Sequence, residues 1–161
     1  MGCSESRGNQ SEEEVAIRNG EISLGYDRNP SRQYDLVFKS HSNEEGKINK
    51  ARFVSSLKAL NLNTTGVENV SSKIGEFYAK MATFDQYNCE QLVLLGIMLS
   101  GSKKEDVVDV FHSHLDTKCV NKVKKEEFNR VLDIMITVAC DYCTSLGVGA
   151  PNERMLPSDR M

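Results

Sequence analysis

Proline is scarce, occurring only at Pro30, Pro151 and Pro157, so nothing between residues 31 and 144 forbids uninterrupted helix. Long apolar runs are missing as well. The greasiest stretch, Leu92 to Leu99, is broken by Gly96 and falls far short of the roughly 18–20 residues that cross a bilayer. The first residues have no apolar core of a secretory signal. Neither sign of charge dominates: 20 Lys and Arg against 23 Asp and Glu leave a net charge of −3. A dedicated nucleic-acid binder would need a basic balance, so that class is set aside. The five cysteines, Cys3, Cys89, Cys119, Cys140 and Cys143, are an odd number, which fits reduced thiols in a cytosolic setting. Hydrolase triads, phosphate-cradling glycine loops and paired catalytic carboxylates are all absent from the pattern. Gly147-Val148-Gly149 follows a helical stretch, whereas dinucleotide binding needs such glycines after a strand. The expectation is a chain that is not an enzyme.

What is there is helical periodicity. Tyr34, Val37 and Phe38 share a face, as do Phe53, Leu57 and Leu60. Val67, Val70, Ile74, Phe77, Tyr78 and Met81 recur at helical spacing, and so do Val107, Val108, Phe111 and Leu115. The clearest stripe is Phe128, Val131, Leu132, Met135, Ile136, Ala139 and Tyr142. Ser11 and Glu14 have the spacing of a capping box for a short helix ended by Asn19-Gly20. No long strand alternates. The expected fold class is all-α, a central helical domain over residues 31–144 between a flexible segment 1–30 and a flexible tail 145–161.

The chain opens Met1-Gly2-Cys3-Ser4-Glu5-Ser6, which matches the N-myristoylation pattern at Gly2 and Ser6 once Met1 is removed. One myristoyl chain holds a protein to a membrane only marginally, so a second signal is required. Residues 4–28 carry Glu5, Glu12, Glu13, Glu14, Glu21 and Asp27 against Arg7, Arg18 and Arg28, and this acidic stretch cannot supply it. Palmitoylation of Cys3 can. The expected location is the cytoplasmic face of a membrane, with the protein peripheral and lipid-anchored.

Two segments align without a gap at an offset of 75 residues. Gly46-Lys47-Ile48-Asn49-Lys50 leads into Phe53, Leu57 and Leu60, and Asn121-Lys122-Val123-Lys124-Lys125 leads into Phe128, Leu132 and Met135. A worn middle copy places Tyr87 where Ile48 and Val123 stand, followed by Leu92 and Leu99. This pattern resembles the EF-hand family, helix–loop–helix with glycine at loop position six and an apolar residue at eight. With the acylation signal it resembles the myristoylated calcium sensors, such as neuronal calcium sensors and calcineurin-B-like proteins. The resemblance implies hand-like units at about 31–61, 67–100 and 103–144, with loops pairing through short strands near Ile48, Tyr87 and Val123.

Calcium takes six to eight oxygens, from loop positions 1, 3, 5, 7, 9 and 12. The first loop offers His41, Asn43, Glu45, Asn49 and Arg52; the last is a cation where a bidentate acid belongs, set to pair with Glu44 or Glu45. The middle loop offers Lys80, Ala82 and Phe84 at its first three ligand positions. The third keeps Asp116 and Glu127 at positions 1 and 12, but Lys118, Val120 and Lys124 stand between, with Lys122 and Lys125 beside them. Those lysines are the natural partners of the two acids. Calcium is thus confined to the third loop, if anywhere, and no other cofactor is implied.

The resemblance therefore implies scaffold before ion: an adaptor at a membrane that docks an amphipathic partner helix in a groove. Phe77, Met81, Leu94, Met98, Met135 and Ile136 are the candidate lining. A calcium sensor using Asp116 and Glu127, or a structural subunit of a larger assembly, are the alternatives. Three hands leave one unpaired, so either residues 12–28 hide a decayed hand or the third loop pairs with another chain. Cys140 and Cys143 form a C-x-x-C on an all-helical chain, outside the context of a redox enzyme. His112, His114 and Cys119 fit no zinc spacing.

Overall fold

The computed structural model describes residues 11–147, and side-chain caps start four of the eight α-helices among them. The Ser11 hydroxyl accepts from the Glu14 amide (3.2 Å) while the Glu14 carboxylate accepts from the Ser11 amide (3.1 Å). This box starts α1 (Glu12–Leu24). The helix does not stop at Asn19-Gly20 but at Gly25, whose φ of 80° turns the chain left-handed. Gly20 instead seats the helix against Leu146, where a Cβ would meet another at 2.5 Å.

After a 3₁₀ turn at Tyr26–Arg28, Pro30 precedes α2 (Ser31–His41). Then follow β1 (Lys47–Asn49) and α3 (Lys50–Ala59), which is capped by the Asn49 side chain. The stripe from Val67 to Met81 forms two helices rather than one: α4 (Thr65–Glu68) and α5 (Lys73–Met81). Between them the Asn69 side chain accepts from the Ser71 amide and Ser72 caps α5, local bonds that compete with helix. A hairpin of β2 (Ala82–Thr83) and β3 (Gln86–Asn88) leads into α6 (Cys89–Leu99), capped by Asn88. Last come α7 (Lys104–Leu115) and α8 (Lys125–Thr137), a π-helical turn at Val138–Tyr142, and a 3₁₀ turn at Cys143–Gly147.

The chain is mostly helical with one small three-stranded antiparallel sheet, in the order β1-β3-β2. Ile48 lies opposite Tyr87, the pairing anticipated for the first two loops. Val123 forms no strand, because the free side of β3 is taken by β2 of its own hairpin. Residues 12–28 hold no decayed hand; they form α1 and the short turn, packed on α5 and on the Cys143–Gly147 turn.

Ile48 and Tyr87 bring the core together. The rings of Phe53 and Tyr87 lie 4.1 Å apart and Tyr78 closes edge-on against Phe53 at 5.0 Å. A second aromatic layer stacks Tyr26 on Tyr34 at 4.9 Å. Its hydroxyls are satisfied: Tyr34 donates to the Tyr26 carbonyl, and Tyr26 shares a hydrogen with Tyr78 at 3.0 Å. Burial pushes the Tyr34 phenol up to about 12. α2 crosses α6 at Gly96, where a Cβ would lie 2.4 Å from Tyr34 Cγ.

Two outcomes follow from this packing. Gly96→Ala overpacks the α2–α6 crossing and lowers the melting temperature, by about 1–3 kcal/mol of stability. At the hairpin tip, Phe84 and Asp85 both have positive φ, and Phe84 is 97% exposed. Asparagine tolerates that backbone far better, so Phe84→Asn raises stability by about 1 kcal/mol in thermal or urea melts.

Candidate functional site

The loops close on their own polar groups. In the first, the Asn43 side chain accepts from the amides of Glu45 (3.0 Å) and Lys47 (2.8 Å), and Gly46 takes the left-handed turn with φ 71°. Asn49 caps α3 by accepting from the Arg52 amide at 2.8 Å. Among the described residues Arg52 forms no ion pair with Glu44 or Glu45, because the backbone bonds already hold the loop. The middle segment is a hairpin with a two-residue turn, a shape without an ion cradle.

Asp116, 7% exposed, turns inward and accepts from the amides of Val120 (3.1 Å) and Asn121 (2.7 Å). Cys119 and Asn121 take positive φ to make this wrap. Glu127 pairs with Arg130 at 2.6 Å. Both acids were expected to pair with the loop lysines; a backbone amide nest and an i,i+3 arginine are nearer and fix them instead. Asp116 is thus engaged by its own backbone, and cations stand at the intermediate positions of the loop. No group of three His, Cys, Asp or Glu among the described residues is arranged to hold a metal ion.

One polar cluster was not anticipated. His114 on α7 is largely buried; its Nε2 lies 3.0 Å from Glu90 Oε1 on α6, and its Nδ1 lies 3.8 Å from Asp35 Oδ1 on α2. Asp35 is held by Lys39 at 2.6 Å, and Glu90 receives both terminal nitrogens of Arg130 on α8, at 2.8 and 2.9 Å. The cluster ties the last two helices to α2 and α6. Burial opposes charge on His114, but the two carboxylates outweigh it and hold the imidazole above its usual range. Hydrogen bonds from His114 and Arg130 bring Glu90 down to about 2. Asp35 and Glu90 flank opposite ring nitrogens and so cannot converge on one ion. In the sequence the signal is faint: five titratable residues scattered from 35 to 130, each ordinary on a helix surface.

The expected groove does not form from its six residues. Phe77, Met81 and Leu94 are closed inside the core, where their helical stripes meet the other elements; Met98 and Met135 are half-buried and Ile136 is exposed. A different depression exists: an open cleft of about 350 Å³ between α4, α5 and the hairpin, lined by Val67, Val70, Tyr78 and Phe84 together with the charged Lys50 and Asp85. It holds no constellation for catalysis. Cys140 is exposed and Cys143 buried, with burial pushing the Cys143 thiol up to about 12, the opposite of a reactive C-x-x-C. No described helix is long and apolar enough to cross a membrane. Gly2 and Cys3, and the tail beyond residue 147, lie outside the described residues.

Comparison with known proteins adds no relative: no family model matches the chain, and no curated protein or solved structure matches it significantly.

The cluster makes stability depend on pH. His114 titrates higher folded than unfolded, so its contribution is full below its ordinary value of 6.5 and is lost as pH rises through the folded value. Glu90 titrates lower folded, so its contribution is present above the ordinary 4.5 and is lost as pH falls toward about 2. Melting temperature should therefore decline as pH is raised from about 6 to 8, and His114→Gln should flatten that decline. An unchanged profile in the variant would remove His114 from the account.

Proposed function

We propose that the chain is a membrane-tethered adaptor on an EF-hand-like scaffold that docks a partner helix without calcium. The observation that carries this reading is the antiparallel pairing of Ile48 with Tyr87, each strand entering a capped helix. Two helix–loop–helix units joined back to back through their loops leave a surface between helices, and such surfaces suit amphipathic helices. Asn43 and Asn49 of the first loop are spent on hydrogen bonds that fold the loop and cap α3, and the third loop keeps lysines where oxygens would be required. Calcium is therefore not the switch.

The partner surface in this reading is the cleft beside the hairpin. Val70 and Phe84 stand exposed on its rim, and Val67 and Tyr78 floor it. Phe84 occupies a backbone conformation that costs stability, and strain of this kind collects at binding positions. Acyl chains on Gly2 and Cys3 supply the membrane address on the cytoplasmic side.

Fractionation of cells expressing the chain tests the tether. Wild type should sediment with membranes, Gly2→Ala should be released, and Cys3→Ser should be held only loosely. If both variants sediment like wild type, the acylated reading is wrong. Calorimetric titration of calcium at physiological magnesium tests the scaffold's independence from the ion. Silence up to millimolar calcium is the expected result, whereas micromolar binding abolished by Asp116→Ala and Glu127→Gln would make the protein a calcium sensor.

A further inference from the structure

The last unit carries two features that folding alone does not explain. The first is charge. From residue 117 to 125 the loop contains Lys118, Lys122, Lys124 and Lys125 and no acid, and all four lysines are exposed. None is in an ion pair among the described residues. Asp116 at the head of the loop is turned inward onto backbone amides and Glu127 at its end is taken by Arg130, so neither acid pairs with these lysines. Lys124 occupies the N-cap of α8 without a side-chain bond, and Lys125 opens the helix. Cations at the positive end of a helix dipole are unfavourable.

The second feature is apolar. The hydrophobic stripe of α8 is left uncovered along one row: Phe128 (42% exposed), Leu132 (39%) and Ile136 (52%). Helical spacing puts Lys125 in that same row and leaves Glu126 and Asp133 on its flank. Val120 adds an exposed apolar side chain inside the lysine loop.

We infer that the lysine loop and the outer row of α8 form a second membrane contact, which takes anionic lipid headgroups on the lysines while Phe128, Leu132 and Ile136 enter the interface. Basic charge bordering an apolar helix row is the chemistry of interfacial helices. Uncompensated lysines beside a charged leaflet bind its anionic lipids cumulatively. The contact deepens the tethered-adaptor reading, from which it takes its orientation only. The Cys143–Gly147 turn that follows α8 packs on α1, with Gly147 against Ile17. The contact also provides basic charge that residues 4–28 lack.

The test uses purified full-length chain without acyl groups, sedimented with vesicles of phosphatidylcholine alone or with phosphatidylserine. Binding should require phosphatidylserine and weaken as salt is raised. Lys118→Glu, Lys122→Glu, Lys124→Glu and Lys125→Glu combined should weaken it on the order of 100-fold or more. Leu132→Ser with Ile136→Ser should weaken it at every salt concentration. Lys58→Glu with Lys73→Glu, on other helices, should leave it unchanged, and thermal melts establish that each variant is folded. Absence of binding to phosphatidylserine vesicles, or equal binding by the loop variant, overturns the inference. So does loop-dependent binding of an acidic peptide without vesicle binding, which assigns the patch to a protein partner. Because no acyl chain is present, failure here is separate from failure of the Gly2 and Cys3 tether, which only cell fractionation reads.

Discussion

Three residues from each of two loops, Lys47–Asn49 and Gln86–Asn88, meet in an antiparallel ladder, and the first two thirds of the molecule are arranged around it. The ladder sets Ile48 against Tyr87 on the buried side, and Tyr87 in turn fixes the plane of Phe53. From Phe53 the contact passes to Tyr78 on α5, and through its hydroxyl to Tyr26 and the layer beneath α1 and α2. Two isolated three-residue strands would be unstable in water. Here each is fused to a helix capped by asparagine, Asn49 or Asn88, so the turn into the helix and the end of the strand are held by one residue. A slip of one register position would send Ile48 to solvent.

The last unit is attached differently. α8 buries only Val131 completely before the π-helical turn brings in Val138. Much of its attachment is electrostatic, through Arg130 to Glu90 and His114 to Glu90 and Asp35. The charge-assisted hydrogen bonds of Glu90 are directional and join α6, α7 and α8, with Asp35 on α2 at a longer ion-pair distance, so they orient α7 and α8 without covering them. The consequence is an apolar row left open next to a loop of lysines. The proposed lysine-loop contact follows from that economy of burial, because the last unit leaves an apolar row that its neighbours do not cover.

The helices were legible from periodicity, because an amphipathic face must repeat at the helical period whichever neighbour covers it. The Ser11–Glu14 cap and the Ile48–Tyr87 pairing were legible because each depends on residues a fixed distance apart along the chain or in aligned repeats. Boundaries were less so. Gly20 reads as a stop, yet it is an interior contact with Leu146; the two meanings of glycine differ only in what lies across from it. Phe77, Met81 and Leu94 share their pattern with groove residues, and burial alone separates the two.

By itself, the sequence determined the helical class, several helix-starting side chains, the acidic balance of residues 4–28 and the run of lysines from 118 to 125. These depend on residue type and local spacing, and physical chemistry reads such features along a single strand of residues. Only the tertiary structure decided that His114 sits between Asp35 and Glu90, that Asp116 serves its own backbone, and that one row of the α8 stripe lies open. Those outcomes depend on which elements approach one another, and long-range approach is set by the packing of the whole core, which no local pattern encodes.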